Sequence, residues 1–169
     1  MKLSYHHLLP AHFHELSRVW IYQSDRLFTL GEALDIEQMV EEFANGWKSH
    51  GDSVKGFGIL FFGQFLVLMA DESATGVSGC STDSSVRLIK QIEQKFSVNM
   101  FNRQLLAFVI KEKVQLLPIS QVNYAVENGF INGETPYFNN TVLTKKELLE
   151  NWIIPIQKSW LKNKLPLLS

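Results

Sequence analysis

Hydrophobic runs in the middle of the chain predict two β-hairpins. Residues 58–62 and 65–69 are almost entirely apolar and flank Gly63 and Gln64. A two-residue connection that begins with glycine is favoured in a type II′ hairpin turn. Residues 105–110 and 114–117 form a second pair of apolar runs on either side of three charged residues. Each hairpin pairs its strands antiparallel, because a short turn reverses the direction of the chain.

Two further segments have the composition of strands. Residues 18–24 combine aromatic and β-branched side chains, three of them in a row, which predicts a strand buried on both faces. Residues 137–143 are a weaker candidate for another strand. The pattern therefore predicts about five strands: the four hairpin strands and one nearer the N-terminus.

Helical spacing of apolar residues is clearest between Thr29 and Gly51. Thr29 and Glu32 have the spacing of a capping box, in which the two residues satisfy each other's free backbone amides. Apolar side chains then recur every three or four positions from Ile36 to Trp47, and Gly51 is predicted to end the helix. Acidic residues on the other side predict a solvated face.

Three more helices are predicted further along the chain. The first contains residues 88–96 and has Thr82 or Asp83 as its N-cap, because short polar side chains favour that position. The others are a short helix opened by Pro118 and ended by Gly129, and a last helix that starts near Lys145 and stops or kinks at Pro155.

Hairpins that alternate with helices predict an α+β fold. We expect a mostly antiparallel sheet of about five strands, built from the two hairpins and the N-terminal strand and covered by about four helices. The sequence contains no internal repeat and no linker rich in proline, glycine or serine. Residues 1–169 are therefore predicted to form a single domain.

The charge balance and the cysteine count exclude several classes of protein. A formal net charge of −1 offers no general attraction to nucleic acid or to an anionic membrane, so neither is an expected partner. The longest apolar stretch is shorter than the ~20 residues of a membrane span, and no secretory signal is evident. With Cys80 as the single cysteine, no internal disulfide can form, so a cytoplasmic location is expected.

A polar segment between the first hairpin and the next helix contains the candidate binding residues. Residues 71–85 leave a buried strand, cross a run of small residues and enter the predicted helix. Free amides and the positive dipole end at a helix N-terminus favour anions. The leading hypothesis is therefore that this loop binds a small anion or a protein segment. The predicted ligand-binding residues are Asp71, Ser81, Thr82, Asp83 and Ser84.

Other interpretations of the same loop stay open. The short polar residues at 81–85 all favour helix caps, so a structural role explains several of them without a ligand. The carboxylates of Asp71, Glu72 and Asp83 would suit a hard cation such as Mg²⁺ if they converged. Because no recognised motif is present, neither a metal nor a cofactor is predicted.

Two alternative functions come from other residues. Cys80 next to a helix N-terminus is a candidate nucleophile for a thiol-dependent enzyme, with a histidine as base, or else a small half-buried hydrophobic residue. The basic, tryptophan-containing stretch 152–164 is the candidate contact of a structural or oligomerising module. Histidines 6, 7, 12 and 14 match no recognised zinc-binding spacing.

Part of the chain imitates a transporter ATPase. Residues 65–72 have the apolar strand and terminal acids of a Walker B segment, and Ser78-Gly79-Cys80-Ser81 is weakly similar to the signature loop. The phosphate-binding pattern G-x-x-x-x-G-K-[ST] is missing, and the signature precedes Walker B in a true transporter ATPase, so ATP hydrolysis is not expected.

The chain resembles a group of small uncharacterised bacterial proteins, some of which are described as ABC transporter ATPases without an evident Walker A motif. The segments that carry the resemblance are 19–24, Trp47 with His50-Gly51, 71–73, 78–86, and 138–140 leading to Trp152 and Trp160. The resemblance covers most of the chain and implies a stand-alone bacterial protein. It implies no activity, substrate or catalytic residue.

Overall fold

A computed structural model of the protein describes residues 1–49, 51–71 and 79–165. The strands in these ranges are β1 (Arg18–Gln23), β2 (Lys48–Ser49), β3 (Asp52–Ser53), β4 (Lys55–Phe61), β5 (Phe65–Asp71), β6 (Leu105–Ile110), β7 (Lys113–Pro118), β8 (Pro136–Phe138) and β9 (Ile153–Pro155). The α-helices are α1 (Leu30–Gly46), α2 (Gly79–Phe96), α3 (Val122–Glu127) and α4 (Lys145–Asn151), with short 3-10 turns between some elements.

The strands form two main antiparallel sheets. The first has the order β1-β5-β4 and the second the order β7-β6-β8-β9, while β2 and β3 pair as a separate ribbon. The predicted α+β class, the two hairpins and the N-terminal strand are confirmed. The hairpins do not share one sheet of about five strands, however, because each hairpin belongs to a different sheet.

β5 is the centre of the fold because both of its faces are covered. Every residue of β5 is buried. Leu66, Leu68 and Ala70 point to one side and pack in a cluster with residues of α1 and α2. Phe65, Val67 and Met69 point to the other side and pack with the N-terminal segment, α4 and the second sheet. Successive side chains of a strand alternate between its faces, so β5 separates two cores.

The boundaries of two helices differ from their predictions. The capping box of α1 is present, but α1 ends at Gly46 rather than at Gly51. Gly51 has a φ of +86° and lies between β2 and β3. α2 begins at Gly79, so Thr82 and Asp83 lie within the helix and the prediction that either is its N-cap was wrong.

Turn lengths and the last helix also differ. Phe61 pairs with Phe65, so the first hairpin has a three-residue loop and not a two-residue turn. The second hairpin turns over Lys111 and Glu112, which both have positive φ values as a type I′ turn requires. α4 ends at Asn151, four residues before Pro155, because the chain continues into β9.

An ion pair joins the start of α1 to the end of α2. The Arg26 guanidinium donates to both carboxylate oxygens of Glu32, at 2.8 and 2.9 Å, and to the carbonyl of Phe96 at 2.7 Å. These bonds from Arg26, together with the backbone amide of Thr29, lower the pKa of Glu32 to about 2. The ordinary value is about 4.5, so the folded state stabilises the charged form.

Stability should therefore fall between pH 4.5 and pH 2. A folded-state pKa below the unfolded one contributes stability that is complete above the unfolded pKa and is lost as the pH falls through the folded pKa. Urea unfolding across this window should show a steeper loss for the wild type than for Glu32→Gln. The exposed Glu37→Gln variant is the control and should follow the wild type. Parallel curves for the wild type and Glu32→Gln would contradict the prediction.

Candidate functional site

Asp71, at the end of β5, holds the N-terminal segment against the sheet. Its side chain is buried, and its Oδ2 accepts the amide of His14 at 3.3 Å and the ammonium of Lys55 at 3.4 Å. The Lys55 ammonium also lies 5.0 Å from the centre of the Phe13 ring. These contacts give Asp71 a structural role that the sequence pattern did not predict.

The predicted residues at the start of α2 lie next to a different surface. Asp83 and Ser84 line an open groove of about 810 Å³ between α1 and α2, together with apolar residues that include Phe43 and Trp47. The carbonyl of Thr82 accepts the hydroxyl of Ser85 at 2.7 Å within the helix. Ser84 accepts a hydrogen bond from Arg87 at 3.1 Å.

β5 separates Asp71 from Asp83 and Ser84. Asp71 continues the face of Phe65, Val67 and Met69, whereas α2 packs on the opposite face. Asp83 and Ser84 therefore do not share one continuous surface with Asp71. Their binding of a ligand stays a prediction, and the connection through Glu72 lies outside the described residues, as do the side chains of Cys80 and Ser81.

A cavity lined by residues of both main sheets, here called the aromatic crevice, lies beside β1. It has a volume of about 310 Å³ and is lined by β1, β6, β8 and the loops around residues 100–103 and 140–143. Leu143 and Thr144 cover the outer edge of β1 only at its start, where the amide of Val19 donates to Leu143 at 2.9 Å. Residues 21–23 of β1 line the crevice.

Five aromatic residues line the crevice: Tyr22, Phe101, Tyr137, Phe138 and Trp160. The rings of Tyr22 and Phe101 meet edge to face at a centroid distance of 5.7 Å, and those of Tyr137 and Trp160 do so at 6.5 Å. Tyr22 and Tyr137 are buried, whereas Phe101 is 40% exposed and lies on the accessible side. Edge-to-face contacts of this kind order the rings in addition to burying them.

Both tyrosine hydroxyls stay protonated at neutral pH. Burial raises the pKa of Tyr137 to about 12, against the opposing effect of the hydrogen bond from Trp160. Burial also raises the pKa of Tyr22, opposed by its hydrogen bond with Ser85 and by the positive charge of Arg103. Because a buried phenolate would lose its hydration, the neutral hydroxyl is the stable form.

A hydrogen-bonded network keeps the polar side of the crevice rigid. Gln23 donates to the carbonyl of Leu105 at 2.9 Å and accepts the amide of Asn140 at 2.9 Å. Asn140 in turn accepts the indole N–H of the fully buried Trp152 at 3.0 Å. Trp160 donates its indole N–H to the Tyr137 hydroxyl at 3.2 Å. The residues that face a ligand are thus held by partners behind them.

Arg103 is a cation without a partner at this site. It lines the crevice and is exposed, and its charge acts on the Tyr22 hydroxyl. Within residues 1–49, 51–71 and 79–165 it makes no hydrogen bond or ion pair. An unpaired guanidinium beside a largely apolar cavity suits a carboxylate, sulfonate or phosphate group.

Sequence reasoning missed this site because its residues come from distant segments. Tyr22, Arg103, Tyr137 and Trp160 form no motif and have no regular spacing. The only local signal is Phe101 followed closely by Arg103 in an asparagine-rich connection between a helix and a strand. An exposed aromatic residue in such a connection is a weak indicator of binding.

Several other candidate residues have structural partners. The imidazole of His6 lies 2.9 Å from the carbonyl of Leu149, and that of His14 accepts the amide of Leu16 at 3.1 Å. Trp152 has no exposed surface, so it cannot serve as the oligomer contact predicted for residues 152–164. Oligomerisation itself stays a prediction.

No protein-family model, curated protein or solved structure matches the chain. Among the described residues, no helix has the length and apolar character needed to cross a membrane. In the same part of the chain, no three histidine, cysteine, aspartate or glutamate residues group where they could hold a metal ion.

Proposed function

We propose that this protein binds a small organic anion in the aromatic crevice. The observation that carries the proposal is Arg103, which has no partner among the described residues and lines a cavity with five aromatic side chains. The cavity volume of about 310 Å³ falls at the lower end of the range for small-molecule sites, roughly 300–1,000 Å³. An apolar cavity with a few fixed polar groups is the usual form of such a site.

The chemistry of the lining favours a ligand with an aromatic or flat apolar body. Ring edges and faces are offered by Tyr22, Phe101 and Trp160, and these contact a planar group favourably. The guanidinium of Arg103 supplies a planar pair of donors that matches a carboxylate or sulfonate. An aromatic carboxylate or sulfonate satisfies both parts of the site.

This proposal keeps the ligand class expected from the sequence but moves the binding site. Residues 71–85 were predicted to bind a small anion or a protein segment, and Asp71 is engaged by Lys55 and His14 on the other face of β5. We do not propose ATP hydrolysis as the activity. Gly46 and Lys48 lie at the end of α1 and the start of β2, so their amides do not open a helix that could cradle phosphates.

Arg103→Gln should weaken binding of an aromatic anion about tenfold, because one charge-assisted hydrogen bond is lost. The probe is anilinonaphthalene sulfonate, whose fluorescence rises in an apolar site, titrated into the folded protein. Arg87→Gln is the matched control, since Arg87 is also exposed but lines the groove between α1 and α2. It should leave the dissociation constant unchanged.

Two results would contradict the proposal. The first is an unchanged affinity in Arg103→Gln. The second is a loss of affinity in Arg87→Gln, which would place the anion in the groove between α1 and α2 and support the binding site predicted near Asp83. Both substitutions are at exposed positions and should leave the thermal midpoint within about 2 °C of the wild type.

A further inference from the structure

This inference rests on the proposed function. We propose that the ligand of the aromatic crevice carries a second anionic group, which Lys158 binds. A second cavity, here called the lysine pocket, adjoins the aromatic crevice. It has a volume of about 250 Å³, and its lining includes Lys158, Glu147 and Asn151. Thr141 and Trp160 line both cavities, so the two are adjacent around these side chains.

Lys158 is the cation of the lysine pocket, and it has no partner among the described residues. Its side chain is exposed, and it makes no ion pair or hydrogen bond with the residues that the structure describes. Glu147 has the opposite charge, but its carboxylate accepts the amide of Leu143 at 2.6 Å. Glu147 also lies in the first turn of α4, where the helix dipole favours a negative charge. Contacts within the protein thus already stabilise the Glu147 carboxylate.

Thr141 and Asn139, two neutral polar residues of the lysine pocket, already have partners. The Thr141 hydroxyl donates to Asn139 at 2.6 Å, and the Asn139 amide donates to the carbonyl of Asn151 at 3.2 Å. The strongest interaction that remains for a ligand is therefore with the ammonium of Lys158. An ammonium at an exposed site binds a carboxylate or phosphate as a point charge.

Trp160 and Thr141 form the boundary that the two cavities share. The indole N–H of Trp160 donates to the Tyr137 hydroxyl at 3.2 Å, which fixes this boundary. Because the cavities adjoin here, a ligand that is bound beside Arg103 and extends past Trp160 enters the lysine pocket and meets Lys158. The chemical class that fits is a rigid apolar body with an acid group at each end.

The test compares two acids that differ only in the second anionic group. Biphenyl monocarboxylate and biphenyl dicarboxylate, with its acids at opposite ends, are used to displace anilinonaphthalene sulfonate from the wild type. We expect the dicarboxylate to bind about tenfold more tightly, because the second carboxylate gains a charge-assisted contact. Lys158→Gln should remove this advantage and leave the affinity for the monocarboxylate unchanged. Lys162→Gln, an exposed lysine that lines neither cavity, should have no effect.

The outcomes separate this inference from the proposed function. Equal affinities for the two acids in the wild type would overturn the inference, as would an advantage of the dicarboxylate that survives in Lys158→Gln. In both cases, Arg103-dependent binding of the monocarboxylate would leave the proposed function intact. Failure of the monocarboxylate to bind in an Arg103-dependent manner would overturn the proposed function and the inference with it.

Discussion

Gly58→Ala should destabilise the protein by about 2–3 kcal/mol, the range expected for an overpacked core. A Cβ atom at this position of β4 would lie 2.2 Å from Cγ1 of Val40 and 2.9 Å from Cδ2 of Leu68. Val40 and Leu68 are both buried, so neither side chain can move into solvent. The glycine allows α1 to pack closely on β4, and urea unfolding monitored by circular dichroism measures the loss.

Two further variants make the Gly58 prediction specific. Gly31→Ala is the matched control, because no atom lies within 4 Å of its Cβ and alanine favours a helix. It should leave stability unchanged or raise it by up to about 1 kcal/mol. Val40→Ala combined with Gly58→Ala should cost at least about 1 kcal/mol less than the sum of the single changes. Additive effects would show that the contact with Val40 is not the cause.

Lys145→Met should destabilise the protein by about 3 kcal/mol, because it leaves three backbone acceptors, that of Phe13 buried, without their donor. The Lys145 ammonium donates to the carbonyls of Pro10, Ala11 and Phe13 at 2.9, 3.4 and 2.8 Å. The residue is only 8% exposed, so water cannot readily replace the ammonium. The Lys145 side chain thus links α4 to the N-terminal segment, in addition to the contact of His6 with Leu149.

Lys146→Met is the control for Lys145, since it removes the same charge from the next, exposed position. Its effect should stay within about 0.5 kcal/mol. Hydrogen exchange adds a local test: the amide of His14, which donates to Asp71, should lose protection in Lys145→Met and keep it in Lys146→Met. Equal stability of the two variants would show that the three carbonyls find other partners.

The elements predicted best are those specified by residues close together in the chain. The capping box of Thr29 and Glu32 and the cap of α4 by Thr144 are both present. Both hairpins also lie where two apolar runs on either side of a short turn predicted them. Each of these depends on interactions within about five residues, which a linear pattern contains directly.

The predictions that failed concern the boundaries at which distant segments compete. α4 ends at Asn151 because Tyr137 of β8 pairs with Ile154, an interaction across seventeen residues that the position of Pro155 does not reveal. α2 starts at Gly79, ahead of the polar residues expected to cap it. Helix propensity and cap preference are weak effects that tertiary contacts readily outweigh.

Asp71 shows the same difference between what the local pattern predicts and what tertiary contacts decide. Asp71 was predicted correctly as the end of a buried strand, but its orientation away from α2 follows from the two-residue alternation of β5 and from which elements cover each face. Asp71 therefore pairs with Lys55 on the face of β5 opposite α2. The strand conformation of β5 fixes the alternation of its side chains, but it does not fix which elements cover each face.

Composition and periodicity alone thus establish an α+β chain, its two hairpins and its best-capped helix, because these arise from short-range backbone geometry. Only folding in three dimensions assigns the hairpins to separate sheets and leaves a crevice between them. The crevice brings Tyr22, Arg103 and Trp160 together from positions far apart in the chain. Their proximity results from the packing of two sheets on either side of a shared core, a long-range balance of burial that local patterns do not encode.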